Sequence, residues 1–287
     1  MIRCLSNNSE AFLNEVKAKL DNDYKEFQGY QSMALDILVQ LHNICEKNGI
    51  KYYLAYGSML GAVRDNGQIP WDYDIDIWVA FEDSKKLFQA LDKELNDSYF
   101  YECRLNDHGC YHNHMRVSPR GYSSEILHVD VFWLTGTSAN EQKNLKHLRK
   151  NMIYYKYYIY KHIERRFIVG VRKSDKFFYW YYSLIAKFIP DTLVDKTYLH
   201  NSKLKMFNCK YVTDNAHMTN MESKWFKERK LVSLANGLSL YIPAGYEEIL
   251  KMRYGDYKRY MDIDVRMKEM LTSLNRIRKL GKLEVDK

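Results

Sequence analysis

Apolar residues recur at helical spacing through Met33, Ile37, Leu38, Leu41 and Ile44, inside a stretch from about Glu10 to Asn48 that holds few helix breakers. This pattern predicts one long amphipathic helix, laid as a lid on a sheet. After Gly49, Lys51 to Tyr56 is rich in tyrosine and leucine and reads as a short strand ending at Gly57-Ser58. Ser58 can cap a short helix through Met59, Leu60, Gly61, Ala62, Val63 and Arg64, which Gly67 and Pro70 terminate. Asp72 to Val79 then alternates carboxylates with Tyr73, Ile75 and Ile77, a strand pattern, and Ser84 to Leu95 is helical again. Tyr111 to Val117 and His128 to Leu134 are two further strands, the second bounded by Gly136.

Beyond Gly136 the texture changes. Asn140 to Arg166 is a basic, tyrosine-laden helical stretch, and Lys173 to Phe188 continues in that style. Tyr241-Ile242-Pro243 precedes a helix from Tyr246 to Tyr254 closed by Gly255, and the charged final ~20 residues are helical or frayed. The sum is an α+β chain, a mixed β-sheet flanked by helices with a helical aromatic and basic insertion. Its expected organisation is an N-terminal extension over 1–28, a main domain over 29–270 and a charged tail over 271–287. Within the main domain we expect a core at 50–136, the insertion at about 140–205 and a C-terminal part at 206–270.

At 287 residues with 46% hydrophobic and 28% charged, and with 25 tyrosines against 4 prolines, the chain is globular rather than disordered. Its formal charge of +8 suits a polyanion, a membrane surface or phosphate-bearing small molecules, and does not choose among them. Five cysteines without a CxxC pair fit free thiols in a reducing compartment. Met1 to Asn8 lacks the apolar core of a secretory signal. Phe177 to Pro190 contains Lys187 and falls short of the ~20 residues of a membrane span. A cytoplasmic protein is therefore expected.

The chemistry concentrates in Trp71-Asp72-Tyr73-Asp74-Ile75-Asp76-Ile77, because side chains two apart on a strand point the same way. Asp72, Asp74 and Asp76 would then share a face, where their repulsion favours a hard divalent cation, Mg²⁺ or Mn²⁺. A solvated acidic strand edge is the plainer alternative. Gly57-Ser58, a turn entering a helix, can present N–H groups to phosphates. Asp130, inside the apolar run His128-Val129-Asp130-Val131-Phe132, needs a partner, and the same metal site is one. Arg64 and Arg116 are candidate phosphate clamps or ordinary ion-pair partners. His108, Cys110, His112 and His114 alternate like ligands on one strand face, readable either as a zinc site or as ordinary strand residues. The run Tyr154-Tyr155-Lys156-Tyr157-Tyr158-Ile159-Tyr160-Lys161 could stack on sugars, meet anionic headgroups or simply pack as a helix.

Two segments, Lys51-Tyr52-Tyr53-Leu54-Ala55-Tyr56-Gly57-Ser58-Met59-Leu60-Gly61-Ala62-Val63-Arg64 and Ile69-Pro70-Trp71-Asp72-Tyr73-Asp74-Ile75-Asp76-Ile77, together resemble the signature of the LicD family. Val129-Asp130-Val131-Phe132 is similar to the family's third acidic strand, and Tyr254-Gly255-Asp256-Tyr257 to its later marker. The resemblance covers about 51–134 and 241–257. Asp65 stands where many relatives carry histidine, and Tyr73 where an acid is common; Tyr73, out of phase with the aspartates, should face away from them.

The resemblance, which extends to the fukutin group, implies a nucleotidyltransferase-like fold. It also implies transfer of phosphocholine or a polyol phosphate from a CDP-linked donor to a hydroxyl of a cell-surface glycan or its lipid-linked precursor, with release of CMP. Asp72, Asp74, Asp76 and Asp130 would be the catalytic and metal-holding residues, with Asp130 activating the acceptor hydroxyl, and Gly57, Ser58, Arg64 and Arg116 would bind the donor. Asp256 would brace the site or serve only as a turn residue. A lipid-linked acceptor would add peripheral contact with the inner face of the cytoplasmic membrane. The rivals are a nucleotidyltransferase that releases pyrophosphate from a nucleoside triphosphate, an inactive scaffold, and a nucleic-acid-binding protein, against which the acidic cluster argues.

Overall fold

A computed structural model describes residues 7–105, 112–137, 153–168, 175–193, 204–214 and 220–281. Its centre is a seven-stranded mixed sheet with the order β1 (Tyr52–Leu54), β2 (Ile75–Ala80), β5 (Val129–Thr137), β4 (Met115–Pro119) and β3 (Tyr99–Glu102). β2 and β5 run parallel, and the other pairs are antiparallel. β5 is long enough to take β4 along Val129–Val131 and then β6 (Tyr211–Asp214) along Leu134–Thr137. β7 (Met221–Glu222) extends β6, and β8 (Arg229–Ser233) with β9 (Ser239–Pro243) forms a separate hairpin.

The two central strands alternate, which gives the sheet two unlike faces. Ile77, Val79, Val131 and Trp133 are fully buried on one of them. There Trp133 meets Phe81 and also Phe88 of α3 (Ser84–Glu94) edge to face, at 6.2 and 5.8 Å between centroids. The other face carries Asp76, Trp78, Asp130 and Phe132. Tyr56, at the start of α2 (Tyr56–Arg64), covers its apolar half, 4.9 Å from Trp78 and 5.4 Å from Phe132. The acidic half is left partly open.

α1 (Asn7–Lys47) is the expected long helix, broken in direction at Leu20 (φ −142°, ψ 35°). Phe12, Val16, Phe27, Ile37 and Leu41 are fully buried along it, so residues 7–28 sit in the same hydrophobic cluster as the sheet. Gln28 lies inside the helix, with no break beside it. α8 (Ile263–Leu280) follows α7 (Tyr246–Tyr254) and packs against α1, burying Met270, Leu274 and Ile277. Its Arg278 bridges Asp23 at 2.7 Å and Glu26 at 3.0 Å.

α4 (153–162), α5 (Arg165–Ile168) and α6 (Asp175–Ala186) form the described part of the aromatic and basic stretch. Residues 140–152 lie outside the described ones. No described helix is long and apolar enough to cross a membrane.

Two corrections bear on the site. Ser58 does not cap α2, which begins two residues earlier with Ala55 in the capping position. β2 begins at Ile75, so Asp72 and Asp74 stand in the loop before the strand and only Asp76 stands on it. Gly61 fixes how closely that loop approaches α2: a Cβ there would lie 2.6 Å from the Gly67 carbonyl oxygen and 3.0 Å from the Ile69 nitrogen. Gly61→Ala should therefore cost about 1–3 kcal/mol, read as a lower urea midpoint at unchanged slope.

Candidate active site

The loop ahead of β2 is held from three directions. Gln31 of α1, buried, donates from Nε2 to the carbonyls of Ile69 (3.0 Å) and Asp72 (2.6 Å). The Tyr73 hydroxyl donates to the Ile126 carbonyl (2.8 Å), and its ring is buried against Phe27, facing away from the carboxylates as expected. Asp72 Oδ1 accepts the Asp74 N–H at 3.1 Å, closing a small turn. Ser58 in turn accepts the Asp76 N–H on its Oγ at 2.8 Å, tying the first turn of α2 to the first residues of β2. Gly57 abuts Asp72, since a Cβ there would lie 3.3 Å from Asp72 Oδ2. Tyr56, one residue earlier, holds φ +41°, a left-handed conformation costly for a bulky side chain and concentrated at functional turns.

The sheet then sets a row of charge. Asp76 pairs with Asp130 across the parallel strands, Asp130 with Arg116 across β5 and β4, and Arg116 with Glu102 across β4 and β3. Asp130 Oδ1 accepts Arg116 Nε at 3.1 Å and lies 3.2 Å from His114 Nε2 and 3.3 Å from His128 Nε2. Arg116 also meets Glu125 Oε2 at 2.9 Å, and His112 Nε2 lies 2.7 Å from Glu125 Oε1. Among the described residues no donor reaches the Asp76 carboxylate, though Arg253 of α7 stands near enough to favour its charge.

These neighbours separate the carboxylates electrostatically. Burial, followed by the charge of Asp74, pushes Asp72 up to about 7. Burial and the charges of Asp130, Asp74 and Asp72 raise Asp76 well above the ordinary range. Asp74 remains open to solvent, yet the protein mass around it and the charge of Asp130 raise it too, against His128. Asp130 goes the other way: against the cost of burial, His128, His114 and Arg116 hold it well below the usual carboxylate range. It is therefore a weak base, and the expectation that Asp130 activates an acceptor hydroxyl does not fit its surroundings.

A pH test isolates Asp72. In the native state it binds a proton between pH 3.8 and about 7 that the unfolded chain has released, so its contribution to stability falls as pH rises through that window. His112, pushed down to about 3 by burial and by Arg116, and His114, lowered by burial, act with the opposite sign below pH 6.5. Asp72→Asn leaves those histidines in place. In chelator-treated protein its melting temperature should therefore gain on the parent as pH rises from 4 to 7; a difference constant with pH would contradict the assignment.

Arg64 and Arg116, expected as phosphate clamps, are both committed inside the protein. Arg64 pairs with the fully buried Asp65 through Nη2 (2.9 Å) and Nε (3.0 Å) and lies over the Tyr260 ring at 4.2 Å. Asp65 Oδ1 also accepts Ser9 Oγ (2.6 Å) and the Tyr260 hydroxyl (2.7 Å), fastening the start of α1 to α2. A donor phosphate would have to compete with these carboxylates. Asp256 is an exposed turn residue after Gly255 (φ +63°), and its carbonyl accepts the Arg259 N–H. His108 and Cys110 lie outside the described residues, while His112 and His114 are engaged by Glu125 and Asp130. Among the described residues, no group of three His, Cys, Asp or Glu side chains is arranged to hold an ion unaided.

Sequence reasoning passed over Gln31, Glu125, Arg253 and Arg276. Arg276, exposed on α8, reaches Asp74 electrostatically. The alternation of His112, His114 and Arg116 was the available signal for the histidine side of the row. Nothing local marks Gln31. Beside Asp72 an open cleft of about 450 Å³ runs between Trp71 and α8, lined also by Lys268, Glu269, Thr272 and Ser273.

Residues 49–174, which hold Gly57, Ser58, the three aspartates before and on β2, and Asp130, match the model of the LicD/FKTN/FKRP nucleotidyltransferase domain. This segment belongs to the LicD/FKTN/FKRP family. The lipopolysaccharide cholinephosphotransferase LicD of Haemophilus influenzae is 35% identical over 72 residues, 25% of this chain and 27% of that protein. An uncharacterized protein of Rickettsia prowazekii is 35% identical over 91 residues, 30% of this chain and 34% of its own length. The human ribitol 5-phosphate transferase FKRP is 48% identical over 40 residues, 14% of this chain and 8% of that protein. The likeness to the first two relatives thus spans about a quarter to a third of their length.

Proposed function

We propose that this LicD-type chain transfers phosphocholine or a related alcohol phosphate from a CDP-linked donor to a glycan hydroxyl, releasing CMP. The observation that carries the reading is the pairing of Asp76 with Asp130 on adjacent parallel strands, beside the Gly57–Ser58 entry to α2 and the Asp72–Asp74 turn. A nucleotidyltransferase-like fold fits the mixed sheet and the description of the matched family. The relatives' names, a cholinephosphotransferase and a ribitol 5-phosphate transferase, support a substituted phosphate as the transferred group.

The carboxylates fit a hard divalent cation. Asp72 is raised by burial and the charge of Asp74, Asp76 by burial and the charges of Asp130, Asp74 and Asp72, and their oxygens suit Mg²⁺ or Mn²⁺, which commonly sit between one or two carboxylates and a substrate phosphate. Asp74 and Asp76 would hold the ion, with Asp72 orienting the turn. When bound it would supply charge neutralisation at the diphosphate.

The chain's own groups do the rest. The N–H groups at the start of α2 face donor oxygens, and the Ser58 hydroxyl, whose oxygen already accepts from Asp76, keeps its proton for a phosphate. Arg253 and Arg276 replace Arg64 and Arg116 as the cations that steady the leaving CMP. Asp130 orients Arg116, His114 and His128 within the row. A loose phosphoryl-transfer transition state asks little of a general base, which suits a site whose strand carboxylate is so weakly basic.

The rival is nucleotidyl transfer, and the released product separates the two. Incubation with a CDP-alcohol, Mg²⁺ and cell-surface glycans should release CMP; pyrophosphate from CTP, with no CMP from any CDP-alcohol, would overturn the proposal.

A further inference from the structure

The aromatic and basic stretch is a helical hairpin with one side packed and the other bare. α4 lies on α6 through Tyr160 and Tyr182 (4.9 Å between centroids), Tyr157 and Tyr182 (5.8 Å), and the Ser183 hydroxyl, which donates to the Tyr160 carbonyl at 3.0 Å. The hairpin is anchored beside β4: the Asn113 N–H donates to the Tyr155 hydroxyl, Arg104 lies 3.8 Å over the Tyr158 ring, and Phe167 is buried in the main core. Away from these contacts, Phe177, Trp180, Tyr181, Leu184 and Phe188 follow one another at helical spacing, with exposures from 42% to 82%. No comparable apolar stripe is exposed elsewhere among the described residues.

Cations frame the stripe. Residues 153–193 contain eight Lys and Arg against three Asp and Glu, so the hairpin carries most of the chain's positive excess. Arg165, Lys176 and Lys187 are exposed and have no ion-pair partner among the described residues. Tryptophan, tyrosine and phenylalanine on one side of a short helix, with lysine and arginine around them, match the boundary between headgroups and acyl chains of an anionic bilayer. A protein partner would favour a charge-poor stripe of this size, whereas unpaired cations at its margins gain most against lipid phosphates. α6 has 12 residues, about 18 Å of helix, so it would lie along the surface instead of crossing it.

We infer that the exposed face of α6 and the turn after it dock this protein peripherally on anionic phospholipid bilayers, with Phe177, Trp180, Tyr181, Leu184 and Phe188 entering the interface and Arg165, Lys176 and Lys187 meeting headgroup phosphates. Because the hairpin is fastened beside β4, the strand of Arg116, docking would bring membrane-borne acceptors close to the carboxylate row. The inference stands on the hairpin alone and does not depend on the proposed reaction.

The test uses the full chain with vesicles of phosphatidylcholine alone and of phosphatidylcholine with phosphatidylglycerol, read by co-sedimentation and tryptophan fluorescence. Binding is expected to favour the anionic vesicles by about tenfold or more and to weaken with added salt. Trp180→Ser/Phe188→Ser should lower partitioning by at least about tenfold, with unchanged circular dichroism and melting temperature. Lys176→Glu/Lys187→Glu should remove the preference for anionic lipid. Trp180→Phe should still bind while losing most of the blue shift, since Trp71, Trp78 and Trp133 are buried and Trp225, half-buried, packs against the main core away from the stripe. Absence of binding to anionic vesicles, or binding that none of these variants alters, would overturn the inference. So would self-association abolished by Trp180→Ser/Phe188→Ser in a protein that ignores vesicles, because the stripe would then belong to a second copy.

Discussion

Asp76→Asn is expected to lower turnover by roughly 10³-fold or more while leaving the protein at least as stable as the parent in the absence of metal. The two halves of this expectation share one cause. Asp76 sits on β2 directly beside Asp130, with no donor on its carboxylate among the described residues, and burial and like charges raise it well above the ordinary range. Such a group costs stability when ionised, so an amide of equal shape relieves the fold. The same amide is a poor ligand for a hard cation and removes the charge that would face the donor diphosphate. Steady-state kinetics and calorimetric melting with chelator check both halves. Near-normal turnover would remove Asp76 from the chemistry, and a large loss of stability would make its role structural.

Asp65→Ala is expected to have the largest effect on stability, about 3–5 kcal/mol, because it strips a buried carboxylate from Arg64, Ser9 and Tyr260 at once. Arg64, whose side chain is only 10% exposed, would be left with its charge poorly compensated. Asp65→Ala/Arg64→Leu should recover part of the loss, since removing both partners is cheaper than stranding one. Urea unfolding measures both. Equal destabilisation in the single and double variants would show that the hydroxyls of Ser9 and Tyr260, not the ion pair, account for Asp65. This anchor gives a physical reason for an aspartate at this position: its carboxylate accepts from a guanidinium and two hydroxyls together.

What was legible in the chain followed from short-range pattern. The apolar spacing of α1 and the closure of α7 by Gly255 are written within a few turns of helix, and both stand in the structure close to where the sequence puts them. β2 was read too long, because the alternation of Asp72 and Asp74 with Tyr73 imitates a strand. The loop conformation is imposed by Gln31, 41 residues upstream of Asp72, which leaves no local trace. Of the other short strands, β6 pairs with β5 far back in the chain, whereas β3, β7, β8 and β9 pair with near neighbours and are too short to set a clear alternation.

The site divides in the same way. The grouping of Asp72, Asp74, Asp76 and Asp130 was readable from spacing and from the cost of a carboxylate in an apolar strand. The division of labour among them was not, because it depends on cross-strand register. Asp130 meets Arg116, His114 and His128, while Asp76 meets none of them. Arg64 and Arg116 looked available only because their partners, Asp65, Asp130 and Glu125, cannot be assigned without the fold.

The central claim, that the carboxylates of the Asp72–Asp76 segment receive a CDP-linked donor together with a divalent cation, is tested most directly by calorimetric titration. The ligands are CDP-choline, CDP-ethanolamine, CDP-glycerol, CDP-ribitol and CTP, each with and without Mg²⁺, against the parent and Asp74→Asn/Asp76→Asn. The account expects Mg²⁺-dependent binding of one CDP-alcohol that the double variant loses. Binding of CTP alone, or of a CDP-alcohol equally well without Mg²⁺ and in the double variant, would contradict it.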